Sequence, residues 1–401
     1  MSSPGPGGAT HDLELSPPAG ESRATRDGWR DRFQRWLLDP AVQGWAVAHP
    51  LTRWLVRRRT RQLMDVMGGF VHAQVLLACV RLDLFAILAG GPARLEELAA
   101  RTGLPAAPLH RLLLSAQAIG LLEHRSGHRF GLGPLGVPVA THEGLRAMIE
   151  HNHLLYQDMA DPVAFLSNAW QGGMANYWPY AHTDTPAAPG GASHVDRVAR
   201  YSALMAGSQN FVTAEILRSY DFSSHRCVLD VGSGQGRWVA ELAQREPALR
   251  FQLVDLPPVL DIARGRHAAL GLESRCTYHP GSFIEDALPK GADLITLVRV
   301  AHDHPDRVVQ GLFHRIHQAL PVGGTLLLAE PMAQPEPNRA SVDAYFHCYL
   351  LAMGAGELRT PDRLSAMLRG SGFGHVELLP NGMPIHTRLL VARKNQGLPS
   401  S

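Results

Sequence analysis

Cysteine is scarce in this 401-residue chain: Cys79, Cys227, Cys276 and Cys348 lie far apart and form no C-x-x-C pair. That spacing argues against a disulfide scaffold and a structural zinc site, so no metal is expected and a reducing compartment, the cytoplasm, is. Charge excess is lacking too. Thirty-eight Lys and Arg face 36 Asp and Glu, a net +2, with no dense basic stripe, which makes nucleic acid a poor partner. Long apolar runs are absent: Val75 to Val80, among the longest, falls far short of the roughly 20 residues that cross a bilayer. The N-terminus lacks the apolar core of a secretory signal. Residues 1–26 are rich in Gly, Pro and Ser and are expected to be a disordered tail, and residues 395–401 a flexible one.

The length suits two domains, and an apolar content of 45% is enough for a sizeable core. The stretch Arg30 to Arg61 mixes Trp36, Trp45 and Trp54 with Arg53, Arg57, Arg58, Arg59 and Arg61. Two readings fit it: a helix resting on an anionic membrane surface as a peripheral contact, or a packing or dimer helix with a solvated basic face. From Arg61 to Gly136 the period is helical. A helix is predicted over Gly68 to Leu88, a second from Leu95 up to Gly103, and a third over Ala106 to Ile119. A hairpin, Leu121 to His124 with Arg129 to Leu132, follows. Three helices and a hairpin make a winged-helix-like domain, assigned to 27–141. A cofactor-sensing DNA-binding regulator is one use of that unit, but its third helix offers only His110 and Arg111 as basic contacts. Residues 142–222 read as a helical connector and 223–394 as an α/β domain.

In the latter, short apolar runs alternate with amphipathic helices from Cys227 to Glu330, the pattern of a parallel sheet with crossover helices. Val376 to Leu379 and Arg388 to Ala392, around Pro380-Asn-Gly, predict an antiparallel addition at the sheet edge. Within the alternation stands Val228-Leu-Asp-Val-Gly-Ser-Gly-Gln-Gly: a strand, an acid, a glycine-rich turn, then a helix. Gly232 and Gly234 let a ligand approach the backbone. Asp230 inside the turn suits an ammonium group better than a pyrophosphate, which favours S-adenosylmethionine over a dinucleotide. Asp255 ends the next strand, where an acid can accept ribose hydroxyls. His302 follows the fourth strand, at the carboxyl edge where ligands of such sheets bind, and is a candidate general base.

The sequence resembles the class I O-methyltransferases of the hydroxyindole and caffeate type from about Phe70 to Lys394. The resemblance is carried by Leu229-Asp-Val-Gly-Ser-Gly-Gln-Gly, Asp255-Leu-Pro, Gly281-Ser-Phe, Arg299-Val-Ala-His-Asp-His-Pro-Asp and Leu326-Leu-Leu-Ala-Glu-Pro. Gln74-Val-Leu-Leu-Ala-Cys-Val-Arg-Leu and Asn381-Gly-Met-Pro are most similar to the carotenoid hydroxyl methylases of purple photosynthetic bacteria. The resemblance implies a Rossmann-like methyltransferase domain behind an N-terminal all-α, winged-helix-like dimerisation domain, and a homodimer. It also implies S-adenosylmethionine as donor, with S-adenosylhomocysteine as coproduct, and an apolar carotenoid as acceptor. Polyketide, phenolic or tetrapyrrole substrates are the alternatives. It implies His302 as base, Glu330 as the acid orienting it, and Glu357 as a second acid one residue before the family's place, which Leu358 holds. Leu256, Gly281, Ser282, Phe283 and Arg299 join Asp230, Gly232, Gly234 and Asp255 as cofactor contacts. His304 stands where the family has Trp. The helices covering the substrate would offer Met148, His151, Tyr156, Met159, Trp178, Met205, Tyr349 and Met353.

Overall fold

The computed structural model describes residues 24–168, 172–177, 212–334, 340–382 and 387–395; Trp178 and Met205 lie outside them. These residues form two compact units that divide between Ala73 and Gln74. Helix Glu143–Asp158 sends Ile149 into the preceding helical core and Leu155 into a cluster with Tyr349 and Met353, so no solvated linker runs there.

The first unit holds helices Ala24–Leu37 and Pro40–Ala48 and the beginning of Pro50–Arg81. The first helix begins inside the tail that was expected to be disordered to Arg26. Asp39 caps the second by accepting the Ala41 N–H at 2.8 Å, with Pro40 in the first helical position. Helix Pro50–Arg81 is long and apolar enough, by length and composition, to cross a bilayer, and 17% of its apolar window is buried. Polar residues such as Asp65 and His72 interrupt that window, so a search for unbroken apolar runs passes over it.

In the second unit the helix predicted to run to Leu88 is broken. Asp83 takes a left-handed φ of 53° and a separate helix, Leu84–Ala89, begins after it. Helices Leu95–Thr102 and Ala106–Ala118 follow, with a small antiparallel sheet of β1 (Ala93–Arg94), β2 (Leu122–Arg125) and β3 (Arg129–Leu132). Leu84, Phe85, Leu98, Leu109, Leu113 and Leu122 are fully buried at the centre of this winged-helix-like core.

The large sheet contains β4 (Cys227–Val231), β5 (Arg250–Asp255), β6 (Cys276–Pro280), β7 (Leu294–Val298), β8 (Thr325–Glu330), β9 (His375–Leu379) and β10 (Arg388–Arg393). Its order is β6-β5-β4-β7-β8-β10-β9; the first five strands are parallel, and β9 and β10 add antiparallel at the β8 edge. The strands are apolar on both faces because both are covered. On one side Val228, Phe251 and Leu294 meet helices Arg237–Arg245 and Pro257–Ala269. On the other, Leu229, Ile295 and Leu326 meet helices Asp306–Ala319 and Pro361–Gly370. The order reverses between β4 and β7, so their carboxyl ends open the crevice in which such sheets hold ligands.

Candidate active site

Two loops face each other across that crevice. After β4, Gly232 and Gly234 take φ of 69° and 54°. A Cβ on Gly232 would lie 2.7 Å from Val300 Cγ2, on the loop that follows β7, whereas one on Gly234 would meet open space. The turn is tied to β5 by Gly232 N–H to Val254 O at 2.9 Å. Asp255, at the tip of β5, accepts the N–H groups of Gly234 and Leu256, each at 2.7 Å. Burial nonetheless pushes its carboxyl up to about 6. Asp230 is buried as well. It accepts the Thr296 hydroxyl at 2.7 Å, and burial, with the neighbouring Asp255 charge adding to it, raises it to about 7. Two crowded carboxyls beside an open glycine turn fit a ligand carrying a positive amino acid head and ribose hydroxyls. The Ser233 hydroxyl, buried there with no partner among the described residues, leaves a further polar atom to be satisfied.

After β6, Gly281 N–H reaches Asp255 O at 3.0 Å, which docks the Gly281-Ser282-Phe283 segment onto the same edge. The Ser282 hydroxyl accepts the Ile284 N–H at 3.3 Å, and its own N–H goes to Asp286 at 2.7 Å. Asp286 therefore gives this loop an acid, four residues beyond Ser282. Arg299 has a left-handed φ of 56°, its N–H donating to Ala329 O at 2.9 Å, an uncommon conformation for a residue other than glycine and one that re-aims the segment leading to His302.

His302 and Glu330 are brought together. Both are buried, and His302 Nδ1 lies 2.6 Å from Glu330 Oε2. The other carboxylate oxygen accepts the N–H groups of Val300 and Ala301 at 2.8 and 2.7 Å, fixing the short turn Ala301–Asp303 from beneath. Nε2, the remaining ring nitrogen, is 3.2 Å from Asp303 Oδ1. Burial works against a charged imidazole, but Asp303 and Glu330 together outweigh it and hold His302 above its ordinary value. Burial lifts Asp303 to about 6. Asp303 was not singled out in the sequence, although it adjoins the histidine.

Glu357 lies beside the same turn. Its backbone N–H donates to His302 O at 2.8 Å, but its carboxylate pairs with Arg363 and lies 41% exposed. The one-residue offset decides this: Leu358, in the family's place, turns inward to Tyr349 and Met353, and the acid before it turns outward. Arg359, also unremarked in the sequence, is buried beneath the turn. It donates to Ala301 O at 2.9 Å, His304 O at 2.7 Å and Asp306 Oδ1 at 2.7 Å. Gly356, with φ 95°, passes so close that a Cβ would sit 2.3 Å from His302 O. His304 packs edge-on against Phe283 at 5.6 Å, and burial lowers it to about 4, so it serves as a neutral aromatic in the place of tryptophan.

Beyond Leu358 lies an apolar and aromatic cluster between helices Glu143–Asp158 and Ala340–Ala352, including Leu155, Phe165, Met174, Tyr349, Leu350 and Met353. Met159 and Tyr345 pack against it, while Tyr156 packs against the winged-helix-like core. His151 stands 3.3 Å from the Tyr349 hydroxyl, and burial lowers it to about 4; the Tyr345 hydroxyl donates to Asn152 at 2.9 Å.

A doubly wound sheet with a glycine turn at its switch point, and a buried histidine–carboxylate pair across the crevice from it, has the build of a group-transfer enzyme. Comparison with known proteins gives the class. Residues 156–374 match the O-methyltransferase domain and residues 64–139 the O-methyltransferase dimerisation domain. The chain is 38% identical to demethylspheroidene O-methyltransferase of Cereibacter sphaeroides, over 87% of this chain and 91% of that one. It is 40% identical to the protein of that name from Rhodobacter capsulatus, over 86% and 85%. The crystal structure of human N-acetylserotonin methyltransferase in complex with S-adenosylmethionine superposes with a TM-score of 0.67 at 23% identity, covering 84% of this chain and 98% of that one. The chain belongs to the S-adenosylmethionine-dependent O-methyltransferase family. Its dimerisation domain supports a homodimer.

Proposed function

We propose that the chain methylates the 1-hydroxyl of an acyclic carotenoid of the demethylspheroidene or hydroxyneurosporene type. The observation that carries this reading is the buried His302–Glu330 pair, 2.6 Å apart, at the edge of an aromatic, apolar cluster; it is joined by the identity to the two bacterial relatives of that name. The cofactor, when bound, supplies an electrophilic methyl group on a sulfonium. Asp230 is assigned to its ammonium and Asp255 to its ribose. Gly232, Gly234, Leu256, Gly281, Ser282 and Phe283 line the remainder, and Arg299 stands near its carboxylate.

His302 takes the hydroxyl proton on Nε2. A tertiary alcohol is too weak an acid to ionise first, so that proton leaves as the C–O bond forms. Glu330 fixes the Nδ1–H tautomer and stabilises the imidazolium that results. Asp303 must release Nε2 to the incoming hydroxyl. Glu357 has no part in proton transfer and braces the turn through its backbone. Alignment within an apolar pocket supplies the rest of the acceleration. The enzyme works from the cytoplasmic side, at the surface of the photosynthetic membrane in which its acceptor dissolves.

The test is an acceptor panel with methyl-labelled cofactor: a 1-hydroxy acyclic carotenoid, a catechol and a dihydroxytetrapyrrole. Label in the carotenoid methyl ether is the expected result. Label in the catechol alone would overturn the acceptor assignment and leave the family standing.

A further inference from the structure

The arm before the dimerisation domain has chemistry of its own. Residues 24–61 precede the matched family segments, which begin at residue 64. Because 84% of this chain covers 98% of the human structure, this chain carries residues which that one lacks. Four of the seven tryptophans fall in the arm, with nine arginines against three aspartates, and from Pro40 to Met64 there is no acidic residue.

The arm's helices keep these side chains in the open. On Ala24–Leu37, Trp29, Phe33 and Trp36 follow the i, i+4, i+7 spacing of one face, and all three are exposed. Phe33 and Trp36 stack at 5.6 Å, and the Arg30 guanidinium lies 5.9 Å from the Trp29 ring. At the start of Pro50–Arg81, Leu51, Trp54 and Leu55 are exposed at i, i+3, i+4; Arg58 lies 5.8 Å from the Trp54 ring, and Arg57, Arg59 and Arg61 follow.

We propose that this arm docks the enzyme on an anionic lipid surface, with the tryptophans at headgroup depth and the arginines on lipid phosphates. This rests on the reading of a membrane-dissolved acceptor and names the surface that would reach it. Tryptophan is the side chain that settles at a bilayer interface, its ring in the acyl boundary and its N–H toward water. Arginine stems lie along apolar surface while their heads reach anions. A second copy of this chain is a poor occupant, because a two-fold contact through this face would set its arginines against themselves.

The experiment is co-sedimentation of the full chain with vesicles of phosphatidylcholine alone and of phosphatidylcholine with one third phosphatidylglycerol, without acceptor. Expected are binding to the anionic vesicles only, weakening with salt, and a drop of roughly 10²–10³-fold in partitioning for R57Q/R58Q/R59Q/R61Q. W29S/W36S/W54S should lose binding as well, and both variants should bind S-adenosylhomocysteine as the parent does, which shows that they fold. Equal binding to neutral and anionic vesicles, or variants that bind like the parent, would overturn the proposal. So would variants that turn monomeric by light scattering, since the face would then be a contact between copies. No methyl transfer is read, so failure here leaves the acceptor assignment intact, and failure of the panel leaves the lipid result standing.

Discussion

At the scale of single residues, the site is governed by carboxyl groups held close together away from water. Asp303 is the acid beside Nε2 of His302, the nitrogen proposed to accept the proton, and its charge contributes to the raised His302 value. The base works in its neutral form, so turnover should climb as pH rises through that value and fall away below it. Asp303→Asn removes one raising charge. The rising limb of kcat against pH should move to lower pH, while an unmoved limb would exclude Asp303 from setting the base. Asp230 and Asp255 have the sign of all raised acids. Their ordinary value is 3.8, and they reach about 7 and about 6 in the fold. The stability tied to their protons is complete below pH 4 and is lost as pH rises through about 6 and 7. A cation bound at Asp230 should reverse that cost. Calorimetry of S-adenosylhomocysteine binding near pH 6.5, in buffers of differing ionisation enthalpy, should show proton release; binding with no proton release would place the ammonium elsewhere.

At the scale of elements, the turn Ala301–Asp303 is positioned from outside itself. Glu330 on β8 holds its N–H groups, and Arg359 holds the carbonyls of Ala301 and His304. Arg359→Met leaves those carbonyls without their donor, at about 1–3 kcal/mol each where they stay buried. Thermal unfolding should drop measurably and kcat should fall with little change in cofactor affinity, and Arg359→Lys should restore part of both. Unchanged kcat in the methionine variant would reduce Arg359 to a packing residue. Gly356→Ala should harm the same turn, because its Cβ has no room beside His302 O.

What the sequence made legible, and what it did not, follows from the range of the interactions. The parallel strands were readable because short apolar runs alternating with amphipathic helices are a local signal; Glu330 was reached only through the family resemblance, and the sheet places it 2.6 Å from His302. Asp303, Arg359 and Gly356 were not singled out, since their roles come from contacts that form only when the turn after β7 folds and residues 356–359 pack against it. Which of the adjacent residues Glu357 and Leu358 faces inward is likewise set by tertiary packing. Asp83 broke a helix whose apolar period continues across it.

At the scale of the whole molecule, the chain joins a dimerisation domain, a doubly wound sheet and a basic, tryptophan-bearing arm. Light scattering at micromolar concentration should give twice the chain mass, and a monomer would contradict the dimer. The claim on which the account turns is that His302 removes the acceptor's proton. It is tested by single-turnover transfer of a labelled methyl group to a 1-hydroxy acyclic carotenoid, with His302→Gln compared with the parent at matched cofactor occupancy. The account predicts that the parent forms the methyl ether and that the variant, binding S-adenosylhomocysteine equally well, does so about 10²–10⁴-fold more slowly. Adding Glu330→Gln should then cost little more, since the two residues act as a unit. Transfer by His302→Gln at close to the parental rate would contradict it.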